Sequence, residues 1–195
     1  MIGRMWRHWH FKRAVRGISL ENPPSRQFLE RLRYGWGSVA AAHVEFLDAV
    51  VQYARASRGP ILECGSGLTT ILLSTFAAKR GVDVWSIEHL PQWLAAVSPY
   101  VEGVNLRLCP LRHYGDVQWY TLPNDLPRGF SLVICDGPWT GRHALLPVAS
   151  DNLATSAIIL LDDAHTKDGQ DAIAKWGREY EMCEKFAIVK PCTHR

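Results

Sequence analysis

A mostly parallel, doubly wound α/β sheet with helices on both faces is the architecture this sequence predicts, on two observations. Short apolar runs alternate with segments of helical periodicity along most of the chain, which is the pattern of strand, crossover helix and next strand. The runs also end in acids: Glu63 after the first, Glu88 after the second, Asp136 after the fourth, and Asp162 with Asp163 after the fifth. Ligands of open α/β sheets bind beyond the carboxyl ends of the strands, so these acids converge on one candidate site. With 195 residues, 47% of them hydrophobic, the chain can bury a sizeable core as one such unit.

The elements follow in order. Residues 1–38 read as a basic N-terminal arm and helical lead-in, and residues 39–195 as the sheet domain. Arg4, Arg7, Lys12, Arg13 and Arg16 precede the first acid, Glu21, with Trp6, Trp9 and Phe11 among them. A solvated terminal helix is the simplest reading, although such a face also suits an anionic substrate, a nucleic acid or a membrane surface. Asn22, Pro23 and Pro24 break the chain, a short helical piece covers 27–32, and Tyr34-Gly35-Trp36-Gly37-Ser38 reads as a loop. Apolar residues then recur at helical spacing over 39–57 until Gly59-Pro60 stops them.

The run at 61–64 is the first strand, and 69–80 is a helix with Lys79 and Arg80 in its last turn and Gly81 as its cap. Residues 82–87 form the second strand, and Pro91 opens a helix carrying Trp93, Leu94 and Val97. Val104, Leu106 and Leu108 alternate in the third strand, followed by an irregular stretch through Trp119 and Tyr120 to Pro123 and Pro127. Residues 130–135 are the fourth strand, 142–152 a helix despite Pro147, and 157–161 the fifth strand. Asp168 is placed to cap a last helix bearing Ile173, Trp176 and Tyr180, and 186–189 is a single final strand.

Several classes are disfavoured. No apolar run approaches the roughly 20 residues needed to cross a bilayer, and the first residues lack a secretory pattern, so the expected location is cytoplasmic. The five cysteines at 64, 109, 135, 183 and 192 are scattered, which supports neither a disulfide framework nor a zinc site. The net charge of +3 is too small to indicate nucleic acid.

The stretch from Ile61 to Thr70 organises the chain. It joins a strand to a helix through Gly65-Ser66-Gly67, a turn that lets a nucleotide-like group approach the backbone and the free N–H groups of the helix. A dinucleotide fingerprint needs glycine or alanine at position 70, where this chain has Thr70. A nicotinamide-dependent oxidoreductase is therefore a competing reading with a partial match. Glu63 at the end of a buried strand needs a cationic or hydrogen-bonding partner, and a ligand carrying an ammonium group would supply one.

Over residues 34–188 the sequence resembles class I S-adenosylmethionine-dependent methyltransferases, a Rossmann-like family. The resemblance lies in the group where E-x-G-S-G-x-[ST]-T is followed by S-x-E-H, D-G-P and L-D-D in that order. Here these are Glu63 to Thr70, Ser86 to His89, Asp136 to Pro138 and Leu161 to Asp163. The resemblance implies S-adenosylmethionine as cofactor. Gly65, Ser66, Gly67 and Thr69 would lie against its methionine part, Glu63 near its amino group, and Glu88 on the two ribose hydroxyls. His89 and residues 109–112 would flank the adenine, and Asp136 would touch either the cofactor or the turn after its own strand.

The implied activity is methylation, chiefly O-methylation, of a small molecule or glycan. Asp136, Asp163, His165 and His143 are the candidate bases. In catechol O-methyltransferase-like enzymes an acid after strand four and a pair after strand five hold magnesium, which would place a metal on Asp136, Asp162 and Asp163. Trp139 stands where those enzymes have lysine. The family usually ends in an antiparallel strand pair, so a single final strand implies a shortened edge or one completed by a second copy. A non-catalytic cofactor-binding protein that docks through its arm is the remaining alternative.

Overall fold

The computed structural model describes residues 10–192, except 12, 16, 19–22 and 39. Arg4, Arg7, Lys12, Arg16, Trp6 and Trp9 of the basic arm lie outside the described residues. Seven strands form one sheet in the order β3-β2-β1-β6-β7-β9-β8. They are β1 (Ile61–Cys64), β2 (Val84–Glu88), β3 (Val104–Leu108), β6 (Phe130–Cys135), β7 (Leu153–Leu161), β8 (Tyr180–Cys183) and β9 (Phe186–Val189). The first five of these in chain order run parallel, β9 is antiparallel to β7, and β8 is antiparallel to β9.

Alternate strand residues feed two cores, one on each face, as the period of two requires. Ile61, Val84, Ile134 and Leu160 meet α1 (Arg26–Trp36), α2 (Val44–Ala56) and α3 (Leu68–Arg80). Leu62, Ile87, Val133 and Leu161 meet α5 (Leu145–Ala149), α6 (Lys167–Trp176) and the buried Trp119 and Tyr120. Helix α4 (Pro91–Val97) follows β2. The expected doubly wound sheet with helices on both faces is the observed one.

Several local expectations are corrected. Tyr34, Gly35 and Trp36 are helical rather than looped, because the left-handed cap falls at Gly37 (φ 73°). Helix α2 begins only at Val44, since His43 is an extended N-cap residue and the preceding loop is pinned by Arg33 donating to the Ala42 carbonyl. The irregular stretch after β3 contains a hairpin of β4 (Leu111–Tyr114) and β5 (Val117–Tyr120). The expected helix over 142–152 is three short pieces, since Pro147 has no N–H to give the ladder.

Two strands, not one, close the chain. The exposed edge strand β8 reaches β9 through the two-residue turn Glu184-Lys185, so this chain itself supplies the closing antiparallel pair. Phe11 and Ile18, inside the expected solvated arm, are only 3% and 4% exposed and belong to the first core.

Candidate functional site

The glycine turn after β1 sits between two other strand ends. Gly65 has φ +96°, and a Cβ there would lie 2.7 Å from the Gly137 nitrogen, so the turns after β1 and β6 meet as bare backbone. The Gly65 and Gly137 nitrogens donate to the carbonyls of Ile87 and Cys64, which locks both turns to the sheet. Beyond them opens a cleft with an interior of about 200 Å³ and a wide mouth. Gly65, Ser66, Gly67, Leu68 and Thr69 form one side. Leu68 and Thr69 open α3, where N–H groups have no carbonyl one turn back.

One oxygen of Glu63 finds its partners inside the protein. The residue is fully buried behind the turn, and its Oε2 accepts from the Thr70 hydroxyl at 2.6 Å and the Ser86 hydroxyl at 2.5 Å. Thr70 Oγ1 in turn accepts from the Gly67 nitrogen at 2.8 Å. The residue that breaks the dinucleotide fingerprint thus ties the turn to β1 and β2. Glu63 Oε1 and the Thr69 hydroxyl are buried without a partner at hydrogen-bond geometry, and Glu63 does not line the cleft.

Burial pushes the Glu63 carboxyl from its ordinary 4.5 up to about 7, against the pull of the Ser86, Thr69 and Thr70 hydroxyls. Because the folded value lies above the unfolded one, the stability from this carboxyl is complete below pH 4.5 and is lost as pH rises through 7. The whole loss is about 3 kcal/mol. Denaturant unfolding should therefore show wild type losing about 3 kcal/mol more than Glu63→Gln between pH 4 and 8. Parallel pH profiles for the two proteins would contradict it.

Glu88 lines the cleft and is 3% exposed. Its Oε1 accepts from the nitrogens of His89 at 2.7 Å and Leu90 at 2.8 Å, and its Oε2 from the Ser66 nitrogen at 2.9 Å. The Ser66 hydroxyl adds a longer contact at 3.3 Å. This carboxylate is therefore held in one orientation at the rim. His89 also lines the cleft, its ring edge-on to Tyr120 at 5.7 Å.

Asp136, Asp162 and Asp163 reach the cleft together, as the sequence led one to expect. Burial and then the neighbouring Asp162 push the Asp136 carboxyl well above the usual carboxylate range, with Arg142 opposing. Burial and then repulsion by Asp163 bring Asp162 up to about 6. The expected magnesium site is not formed: among the described residues no three His, Cys, Asp or Glu side chains are gathered to share an ion. The cation at this place is Arg142, 3% exposed, with Nη2 3.6 Å from Asp163 Oδ2 and Nη1 3.4 Å from Asp168 Oδ2. Its Nη2 also donates to the Asp136 main-chain carbonyl at 2.6 Å, while Asp162 Oδ1 accepts from the Asp163 nitrogen. The Asp163 carboxylate is paired with a guanidinium and that of Asp162 with backbone, and the three acids are not gathered to share a divalent ion.

Arg142 was not singled out from the sequence. Its signal was indirect: several acids gathered at buried strand ends require a cation, and Arg142 follows the fourth strand closely. Asp168 does not cap α6; Thr166 does, and Asp168 accepts from the Gly141 nitrogen at 2.7 Å. His165 and His143 do not line the cleft. The His165 ring is exposed and its Nδ1 meets the Lys185 carbonyl at 3.1 Å, which removes it as a base for this site. His43, unexpected, does line the cleft, as do Trp36, Trp93 and the 75% exposed Trp139. Of the stretch 109–112, none lines it.

No protein-family model matches the sequence, and no curated protein matches it. Solved structures do resemble it in shape. An S-adenosylhomocysteine-bound methyltransferase from Podospora anserina superposes with TM-score 0.56 at 15% identity, over 78% of this chain and 81% of that one. A putative caffeoyl-CoA O-methyltransferase from Staphylococcus aureus gives 0.61 at 13% identity, over 86% and 99%. A putative O-methyltransferase from Klebsiella pneumoniae gives 0.54 at 13% identity, over 84% and 89%. The chain has the Rossmann-like fold of these methyltransferases. No helix among the described residues is long and apolar enough to cross a membrane.

Proposed function

We propose that this protein is an S-adenosylmethionine-dependent methyltransferase that acts on a hydroxyl of a small molecule or glycan. The observation that carries the reading is the cleft itself: a bare-backbone turn, the start of α3 and an oriented Glu88 meet at the ends of β1 and β2, in a methyltransferase fold. Gly65, Ser66, Gly67 and Thr69 would hold the methionine part, with its carboxylate favoured by the N–H groups opening α3. Glu88 would take the ribose hydroxyls, with the long Ser66 hydroxyl contact as the bond a ligand replaces. Glu63 would act through Thr70 on the turn rather than on the cofactor.

Bound there, S-adenosylmethionine supplies a methyl group activated by positive sulfur. Asp136 lies beside the turn that would face this methyl, and its raised pKa suits a base that accepts the hydroxyl proton as the new bond forms. Arg142 and Asp163 would fix the rim around it, so that acceptor and methyl meet in line. The magnesium reading is set aside, because Arg142 occupies the charge balance that it requires.

Thr70 also weighs against a nicotinamide cofactor, since its side chain, bonded to Gly67 and Glu63, stands where the dinucleotide fingerprint has a glycine for close helix–strand packing. Titration calorimetry with both ligands tests the choice. S-adenosylmethionine should bind and NAD should not; the reverse would make the protein a nicotinamide-binding oxidoreductase.

A further inference from the structure

One wall of the cleft does not come from the sheet. Trp36, Ala40, Ala41, Ala42 and His43 line it from the end of α1 and the loop that follows. Arg33 pins that loop by donating to the Ala42 and Ala41 carbonyls at 3.0 and 3.4 Å. Trp36 stacks on Trp93 of α4 with centroids 6.5 Å apart and planes at 26°, so this wall abuts the segment that carries Glu88. Its other neighbours are Tyr100, edge-on at 6.1 Å, and Phe11 at 5.6 Å.

Phe11 comes from the N-terminal lead-in, where residues 10, 11 and 13–15 are helical. Its ring meets Tyr100 edge-on at 5.0 Å and lies over Gly35, where a Cβ would be 3.1 Å from Phe11 Cδ2. Glycine within a helix is destabilising relative to alanine. The close approach of Phe11 explains why Gly35 stands in α1. The end of this segment is anchored too, since Lys79 of α3 donates to the Ile18 carbonyl at 2.6 Å.

We propose that Phe11 is a positioning residue for the cleft: seated on Gly35 and Trp36, it fixes the aromatic wall against which the cofactor binds. The inference rests on the S-adenosylmethionine reading above. Without the Phe11 ring, Trp36 loses one of its three aromatic neighbours among the described residues, a pair that contributes beyond its buried area. The wall must then be ordered when a ligand arrives, and affinity falls by the cost of that ordering. The N-terminal segment is therefore part of the binding apparatus and not a detachable arm.

The test is calorimetry with S-adenosylhomocysteine on the full chain, well below its unfolding temperature. Phe11→Ala should weaken binding about tenfold, and Phe11→Leu, which refills part of the volume, about threefold. Val189→Ala, a core truncation in β9 remote from this wall, should lower the unfolding temperature and leave affinity unchanged. If Phe11→Ala does not fold, Phe11→Leu decides the matter. A Phe11 variant that is less stable yet binds as wild type overturns the proposal and leaves the cofactor reading standing. Failure of wild type to bind S-adenosylhomocysteine overturns the cofactor reading, and this inference with it.

Discussion

Asp136→Asn should lower turnover on a verified acceptor by about 10²–10⁴-fold while changing cofactor affinity little, the signature of a lost general base. Asn keeps the size of the side chain and its hydrogen-bonding edge but cannot take up a proton. Asp136 stands at the cleft after β6, raised in pKa by burial and by Asp162, with Arg142 preventing a larger shift. A base works only when ionised, so the wild-type rate should fall as pH drops through that raised pKa. The Asn variant should lose this limb of the profile. Chelators should change neither protein, because Arg142 balances Asp163 and, among the described residues, these carboxylates are not gathered to share an ion. Full turnover in both Asp136→Asn and Asp163→Asn would leave the acids as structural parts of the rim.

Glu88→Ala has the largest expected effect on binding. It should weaken S-adenosylmethionine by about 1.5–3 kcal/mol, the range for hydrogen bonds to a charged group, or roughly 10–150-fold in Kd. It should also destabilise the free protein, since the nitrogens of Ser66, His89 and Leu90 lose their acceptor together. Glu88→Gln keeps one oxygen for the His89 and Leu90 nitrogens and turns an amide toward Ser66, so part of the stability should return while affinity stays low. Calorimetry and thermal unfolding on the same samples separate the two effects. Unchanged affinity in Glu88→Ala removes the ribose assignment.

The sheet was legible because its parallel strands are short apolar runs, four of the five ending in acids, and both features survive without tertiary knowledge. Partners across the sheet were not. Glu63 visibly needed a partner, but sequence could not tell a ligand's ammonium from the hydroxyls of Thr70 and Ser86, which arrive from a helix and a neighbouring strand. Arg142 read only as the first residue of a helix, because its burial depends on α6 packing Asp168 against it. Phe11 among cations read as a solvated helix, whereas its seat is made by a missing side chain at Gly35, 24 positions on. The strand β8 was hidden by its composition, since an edge strand is half exposed and tolerates Glu181 between Tyr180 and Met182. His165 sat at the right place in the chain, yet its ring turns to the β8–β9 hairpin and away from the cleft.

The most direct measurement of the central claim is a crystal structure of the full chain with S-adenosylhomocysteine. The expected result is a ligand lying across Gly65, Ser66 and Gly67, with its ribose hydroxyls on Glu88 and its sulfur facing Asp136. Ligand density elsewhere on the molecule, or an empty cleft at saturating ligand, would contradict the assignment of this site.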